Sequence, residues 1–361
     1  MSTTPYSISA NSRLYTVVDD CVTEFVALIT GMVTDELFGD FVEPEFKVVA
    51  AEADLAGKTT RNGLYAVNGY PGQSFPHLDT TSYTVDLVLS APGFRDHPLS
   101  VTIPQNTLFP VAAPPVAMRR LPVQIQGRVV NDTTRAPIQG ALITAIDDPV
   151  TPPTIHTLLL RSPLYFPHAA GVSVQQVNIA PTGIAQLTQE ALAGTTVLKL
   201  TNRLGLAPNS IIQLASPSQL LVEYAIVDHV GPGPANQPGD VFLRTGLNRS
   251  YGAAMATIVQ FVNAAPTGAP AQLASDADAG DGLLLLNQMP AGTAVVVDGG
   301  SPTAKEFHEL GAVSNSDGYY SVQGIGRAKE IFLQASKGIT KKNRDWFVEY
   351  DRPINVVDFR L

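Results

Sequence analysis

Apolar and polar positions alternate with period two through much of this 361-residue chain. The stretch SNSDGYYSVQG, Ser314 to Gly324, shows the pattern: after Asp317-Gly318, Tyr320 and Val322 fall on one face and Tyr319, Ser321 and Gln323 on the other. Asp-Gly and Asn-Gly are strong hairpin signals, because Gly takes positive φ without a Cβ clash and Asp or Asn tolerates it better than most residues. An echo, KTTRNGLYAVNG (Lys58 to Gly69), repeats the turn as Asn62-Gly63 and the inward pair as Tyr65 and Val67. Both predict strands half-buried on a core. Helical spacing is scarce. Ile184, Leu187 and Leu192 in IAQLTQEALAG predict one short helix, stopped by Gly194.

The echo extends upstream. LITGMVTDELFGDFVEPEFKVVA (Leu28–Ala50) aligns with QIQGRVVNDTTRAPIQGALITAI (Gln124–Ile146), each with a strand, a Gly (Gly31, Gly127), an Asp-containing turn and a second strand. From that Gly to the turn Gly the first copy spans 32 residues (Gly31 to Gly63) and the second 191 (Gly127 to Gly318), so the second copy carries 159 extra residues. This insertion, about Val150 to Ala312, has its own repeat. LLRSPLYFPHAAGVSVQQVN (Leu159–Asn178) resembles FLRTGLNRSYGAAMATIVQFVN (Phe242–Asn263), with Arg161 matching Arg244, Leu164 matching Leu247 and His168 matching Tyr251, 83 residues apart. APNSIIQLASPSQLLVEY (Ala207–Tyr224) maps onto PAGTAVVVDGGSPTAKEF (Pro290–Phe307) at the same spacing, Glu223 onto Glu306. A constant period marks a duplication. The middle unit, Gly194 through Asn263, is intact. The outer fragments, Ile155–Asn178 and Leu283–Leu310, would complete a second unit together, which brings the ends of the insertion side by side as a surface-loop insertion requires. PTGAPAQLASDADAGDG (Pro266–Gly282) reads as a loop.

At these residues the chain resembles a family. The order G-x-V-x-D, a second strand, then [ND]-G-[LY]-Y-x-V-x-G is similar to the carboxypeptidase regulatory-like, or transthyretin-like, β-sandwich. VDLVLSAPGF (Val85–Phe94) resembles the strand and Gly-aromatic turn that follow; IFLQASKG (Ile331–Gly338) lacks the aromatic after its Gly. Closing strands would be Val116–Leu121 and Ile354–Leu361. The resemblance covers roughly half the chain and implies seven-stranded sandwiches without catalytic residues, used as spacers or docking modules. The intact insertion unit resembles small β modules of phage tail, baseplate and contractile injection system proteins.

Composition fits short strands joined by turns: Gly 29 and Pro 28. Charged residues are only 15%, which suits either a subunit that buries much of its exterior or a merely Ala- and Thr-rich β protein. The net charge of −9 disfavours a nucleic-acid partner. The basic cluster KGITKKNR (Lys337–Arg344) reads as a solvated hairpin. One cysteine, Cys21, excludes an internal disulfide. MSTTPYSISANSR has no charged n-region or apolar h-region, so no signal peptide is expected, and no apolar run approaches ~20 residues, so no membrane span. The sequence therefore predicts cytoplasmic assembly, with release as part of an extracellular particle.

The search for chemistry finds no catalytic, cofactor or metal constellation. HELGA has Ala312 where a zinc-protease helix needs its second His. GIGRAK lacks the third Gly of a dinucleotide loop. DADAGDG has oxygen ligands at alternate positions but Asn287 where a calcium loop places its bidentate Glu, so it reads as a solvated loop. Asp147-Asp148 marks a strand exit, and the recurring Glu223 and Glu306 read as structural positions. The expectation is an all-β chain: a flexible segment 1–13, a transthyretin-like/Ig-like sandwich 14–121, a second formed by 122–149 with 313–361, and a duplicated β-barrel-like insertion 150–312. It would be a non-enzymatic structural or adaptor subunit of a phage-tail-like particle, contacting other subunits of a large assembly. The alternative is a carbohydrate- or surface-binding adhesin module. Trp346 and Tyr350 in DWFVEYDRP (Asp345–Pro353) are either partner-docking anchors or part of a core strand and its turn.

Overall fold

Positive φ is used where the turn signals lie: Gly63 stands at φ 70° and Gly318 at φ 75°. From each, a strand runs inward-outward as the alternation requires. Tyr320 is 1% exposed and Tyr319 47%, and Tyr65, Val67 and Val322 are buried. The computed structural model describes residues 14–18, 21–42, 46–51, 55–60, 62–69, 78, 80–147, 154–215, 222–253, 258–300 and 304–361. It divides into two compact units, Met1–Leu121 and Pro122–Leu361. Met1–Arg13, expected to be a flexible lead-in, lies outside the described residues, as does Asp148.

The first unit contains β1 (Leu14–Val18), β2 (Cys21–Asp35), β3 (Lys47–Ala50), β4 (Ala56–Thr59), β5 (Leu64–Gly69), β6 (Tyr83–Ser90), β7 (His97–Ile103), β8 (Val111–Ala112) and β9 (Val116–Met118). The second opens with β10 (Val123–Val130) and β11 (Leu142–Ile146). It continues through β12 (His156–Leu159), β13 (Ser173–Gln186), β14 (Val197–Leu200), β15 (Ile211–Ala215), β16 (Val222–Val230), β17 (Gly239–Leu243) and β18 (Ile258–Pro266). Then come β19 (Ala271–Gln272), β20 (Leu283–Leu286), β21 (Ala294–Asp298) and β22 (Lys305–Glu309). It closes with β23 (Ala312–Val313), β24 (Tyr319–Ile325), β25 (Glu330–Lys337), β26 (Thr340–Phe347), β27 (Ile354–Val356) and β28 (Phe359–Arg360). Among the described residues there is no α-helix, and the fold is all-β.

Each unit holds a two-sheet sandwich with the same pairing plan. In the first, β2 pairs antiparallel with β5 and parallel with β8 and β9, facing a β3-β6-β7 sheet. In the second, β10 pairs antiparallel with β24 and parallel with β27 and β28, facing β23-β11-β25-β26. Gly31 lies opposite Tyr65, and Gly127 opposite Tyr320. The reason for glycine is space. A Cβ on Gly31 would sit 2.4 Å from the Tyr65 ring, and one on Gly127 1.9 Å from the Val357 carbonyl oxygen. The Tyr320 hydroxyl donates to that same carbonyl at 2.6 Å. The repeated sequence is thus a Gly-over-Tyr packing device used once per sandwich.

Between β11 and β23 the insertion forms two rings. The central ring runs β14, β17, β16, β15, β18 and the C-terminal half of β13, and a Leu187–Leu200 bridge closes it. The outer ring runs β20, β12, β22, β21, the N-terminal half of β13 and β19, closed by Leu160–Leu310 and Leu273–Leu286 bridges. Each has its own apolar interior, around Leu198, Ile212, Val227 and Val259 in one and Leu158, Val174, Leu284 and Val295 in the other. A further cluster, including Val177, Tyr224, Val262, Val296 and Phe307, welds the two. Long strand β13 runs through both rings, pairing antiparallel with β18 in the central ring and with β19 and β21 in the outer one. Leu159 and Leu283 of the outer ring also pack into the second sandwich's core.

The expected helix at Ile184–Gly194 does not form. Ile184–Gln186 end β13, Leu187 bridges to Leu200 and Ala191 to Tyr251. The three residues whose spacing suggested a helix are not a common buried face: Ile184 is 57% exposed and Leu192 58%. Ala185, Leu187 and Ala191 go inside instead, which is strand parity that small alanines disguise. The DADAG loop is its counterpart. Ala277 bridges to His168, and buried Asp281 accepts the Asp278 amide at 2.9 Å and lies 3.6 Å from Arg327 Nε. It is part of the outer ring, not a solvated loop.

Candidate functional site

The two rings share a buried carboxylate staple. In the central ring Glu223 accepts the Asn248 amide at 2.7 Å and the Tyr251 hydroxyl at 2.9 Å. In the outer ring Glu306 accepts the Tyr165 and Phe166 amides at 2.7 and 2.9 Å and pairs with His168 Nε2 at 2.7 Å and His308 Nε2 at 3.0 Å. Tyr165 and His168 stand where Asn248 and Tyr251 stand, one period earlier. The pair joins opposite ends of the insertion. Burial alone would push the Glu306 carboxyl up, but the two imidazole hydrogen bonds overcome it and hold the group down at about 2. Burial pushes Glu223 up, against its own hydrogen bonds. The recurring glutamates are therefore structural positions with named partners.

Chemistry collects where the repeats differ. Gln213, Tyr224 and Glu309 correspond to Val296, Phe307 and Ile226, so each carries a polar group that its counterpart lacks. The three converge. Gln213 Nε2 lies 2.6 Å from the Tyr224 hydroxyl and 2.6 Å from Glu309 Oε1, and the Tyr224 hydroxyl donates to the same carboxylate oxygen at 2.9 Å. Arg161 Nη1 pairs with Glu309 Oε2. Gln213, Arg161 and Glu309 line a cleft of about 960 Å³ between the second sandwich (Leu142, Thr144, Val313) and the two rings. Its other walls are largely apolar, including Val177, Ile179, Met289 and Pro290, a combination typical of ligand sites. Burial, then the Glu309 charge, pushes the Tyr224 phenol up, so it stays protonated and acts as a donor. The floor offers hydrogen-bond donors and acceptors and a neutralised guanidinium.

Sequence reasoning named none of Arg161, Gln213, Tyr224 or Glu309 as a site. The usable signal was the mismatch between copies: a duplicated module keeps what the fold needs, so polar residues gained in one copy at inward positions stand out. Trp346 and Tyr350, named as docking anchors, are half-buried against their own sandwich core. Trp346 Nε1 donates to Asn355 Oδ1 at 3.0 Å, and the Tyr350 hydroxyl donates to the Ala328 carbonyl at 2.9 Å. They are not part of the cleft. The β25–β26 hairpin carries the basic cluster, with Ile339 fully exposed at its tip.

No family model matches the chain, and no curated protein matches it. Among solved structures, the chain aligns with a variant of BcpA, the major pilin subunit of Bacillus cereus, at 9% identity and a TM-score of 0.21, covering 92% of this chain and 98% of that one. The unmodified BcpA pilin aligns at 8% identity and the same TM-score, covering 93% and 99%. The Bacillus anthracis TIE protein aligns at 7% identity and a TM-score of 0.11, covering 98% and 76%. Likeness at this level does not establish a common fold. Among the described residues no helix is long and apolar enough to cross a membrane.

Proposed function

We propose that this chain is a non-enzymatic structural or adaptor subunit of a large assembly, of the phage-tail-like kind, at a contractile injection system's baseplate or fibre attachment. The observation that carries the reading is apolar surface left on a sheet face. On the first sandwich, exposed Val49 of β3 pairs with exposed Val88 of β6, which pairs in turn with Pro98 of β7. A contiguous apolar row across three neighbouring strands, unlike scattered surface leucines, supports reading this face as a contact surface. Burial against a neighbour gains ~25 cal/mol per Å² of apolar area, offset in part by ordering and desolvation. Trp346 and Tyr350 would support such docking indirectly, by holding β26 and its exposed Phe347 in place. The test is the protein content of intact particles from producing cells. Mass spectrometry should find this chain there in fixed proportion. Particles without it, with the chain monomeric in the lysate, would defeat the reading.

The polar-floored cleft favours a second reading, a carbohydrate- or surface-binding module. Against it, the large hydrophobics exposed on the insertion are aliphatic among the described residues (Ile155, Ile184, Leu192, Val197, Leu204), so a sugar would find no exposed aromatic platform there. Glycan-array binding lost on Gln213→Ala would establish it over the assembly reading.

A further inference from the structure

The 960 Å³ cleft has a counterpart on the other side of the duplication. A pocket of about 490 Å³ is lined by Asn209, Ile211, Ile226, Arg244, Ala264, Asp298, Gly300, Lys305 and Phe307. The correspondence is carried by the backbone. Arg161 N donates to the Glu309 carbonyl at 2.8 Å, and Arg244 N donates to the Ile226 carbonyl at 3.0 Å. Arg161 and Arg244 thus sit at one register position in the two rings, each opposite one cross-strand residue. In the larger cleft that residue is Glu309, whose carboxylate takes the Arg161 guanidinium. In the smaller pocket it is Ile226, and the Arg244 guanidinium pairs with the neutral Asn209 Oδ1. Among the described residues no carboxylate pairs with Arg244. Lys305 adds a second cation, bonded at 2.9 Å to Asp298, so the pocket carries one net positive charge in a chain of net charge −9.

We infer that this pocket binds a carboxylate on an apolar stem. The chain itself displays the bound arrangement in its other copy, where a carboxylate fills the space before the equivalent guanidinium. An external carboxylate would reach Arg244 across Ile226, with Lys305 as a second donor and Ile211, Ala264 and Phe307 around its stem. A guanidinium donates to a carboxylate or a phosphate in fork geometry, and the apolar lining by Ile211, Ile226, Ala264 and Phe307 is what favours a carboxylate on an apolar stem over a fully hydrated inorganic anion. The carboxylate can come from a free aliphatic acid or from an acidic side chain on another protein.

The test uses the full-length chain with its isoleucine methyls labelled for NMR, since Ile211 and Ile226 line the pocket. Sodium hexanoate and the blocked tripeptide Ac-Leu-Glu-Leu-NH2 are titrated separately. Saturable shifts at Ile211 and Ile226 are expected. Arg244→Gln should weaken binding about tenfold or more, the loss of one charge-assisted hydrogen bond. Ile226→Glu should abolish binding while leaving the protein folded, because it supplies the carboxylate from within, as Glu309 does in the other ring. A tripeptide that binds more tightly than hexanoate, and loses that advantage when its Glu becomes Gln, assigns the carboxylate to a protein partner; equal or weaker binding assigns it to a small acid. No shift with either probe, a response to inorganic phosphate alone, or binding unchanged in both Arg244→Gln and Ile226→Glu overturns the inference.

Discussion

Removing the Glu306 carboxylate should open the outer ring. Glu306 is 2% exposed, and so is His308. Its oxygens serve two backbone amides and two imidazole nitrogens. Glu306→Ala leaves these buried donors without an acceptor, at ~1–3 kcal/mol each before relaxation. Water entering the vacated space recovers part of this, so the expected loss is about 4 kcal/mol, near the value for breaking a buried ion pair by deleting one partner. The acid limb gives an independent figure. A carboxyl held at about 2 against 4.5 when unfolded contributes about 3 kcal/mol, at ~1.4 kcal/mol per pKa unit. The folded value is depressed, so the contribution is fully present above pH ~4.5 and lost as pH falls from there toward 2. Urea denaturation gives the free energy, and hydrogen exchange with mass spectrometry gives the location. Amides around Tyr165–His168 and β22 should lose protection, while β15 and β16 of the central ring keep theirs. Glu306→Gln should remove the pH dependence between 4.5 and 2 at a smaller cost near neutral pH. A loss below ~1 kcal/mol for Glu306→Ala, against the ~4 expected from four orphaned donors, would refute the reasoning. So would equal loss of protection in both rings.

Gly127→Ala should destabilise the second sandwich by several kcal/mol, since its Cβ would meet a backbone carbonyl at 1.9 Å that cannot give way as a flexible side chain can; thermal melts check it. Tyr320→Ala should cost roughly 3–5 kcal/mol and Tyr319→Ala under ~1, because the exposed Tyr319 ring loses only its stacking on Arg128; equal losses in denaturant titrations would show that the face assignment is wrong. Leu283→Ala, although in the insertion, should shift the unfolding midpoint of the sandwich read by the chain's single tryptophan, Trp346, by the ~2–5 kcal/mol of a buried leucine. For the same reason, replacing Val150–Gly311 with a Gly-Ser linker should leave a sandwich markedly less stable than the full chain, measurable as a lowered melting temperature.

The all-β character and the inward faces of the echoing strands were legible in the sequence, because a tyrosine or valine every second residue after an Asn-Gly or Asp-Gly turn leaves few alternatives. The link between the insertion's halves was not. A spacing of 83 residues aligns Arg161 with Arg244, but VNIAPTG and VNAAPTG (Val177 and Val262) lie 85 apart, and the glycines of EALAG and DADAG (Gly194 and Gly280) lie 86 apart. Small length changes shift the register, so a search at one period passes over the match. Without it, EALAG looked helical and DADAG looked like a loop, although both make the same bridge in their own ring. In EALAG the cause is alanine, a good helix former that is also small enough to sit inside a narrow ring; in DADAG it is the Asp and Gly residues, whose loop-like composition hid the inward Ala277 between them. Nor did pattern predict the packing of Leu159 and Leu283 into the host sandwich, since burial in a neighbouring core leaves the same period-two signature as burial in one's own.

The duplication separates two kinds of constraint that a single-copy protein mixes. Where the copies agree, the residue answers to the ring: Glu223 and Glu306 each accept the amide of a residue in the same returning loop, although in one case the loop follows in sequence and in the other it arrives from the far end of the insertion. The requirement is therefore spatial, and the order of the chain is irrelevant to it. Where the copies disagree at inward or cleft-lining positions, the ring has already shown that it folds with either residue. Val296 proves that Gln213 is not needed for the strand, and Ile226 proves the same for Glu309. A buried polar residue costs stability unless its partners are in place. The chain nevertheless brings Gln213, Tyr224 and Glu309 together at one cleft, while at the other no carboxylate among the described residues pairs with Arg244. The economical physical reading is that the rings supply a common scaffold on which the two clefts differ in charge: beside the sandwich Glu309 neutralises Arg161, whereas in the other pocket Ile226 takes the place of Glu309, Arg244 faces Asn209, and the ion pair is the separate one between Lys305 and Asp298.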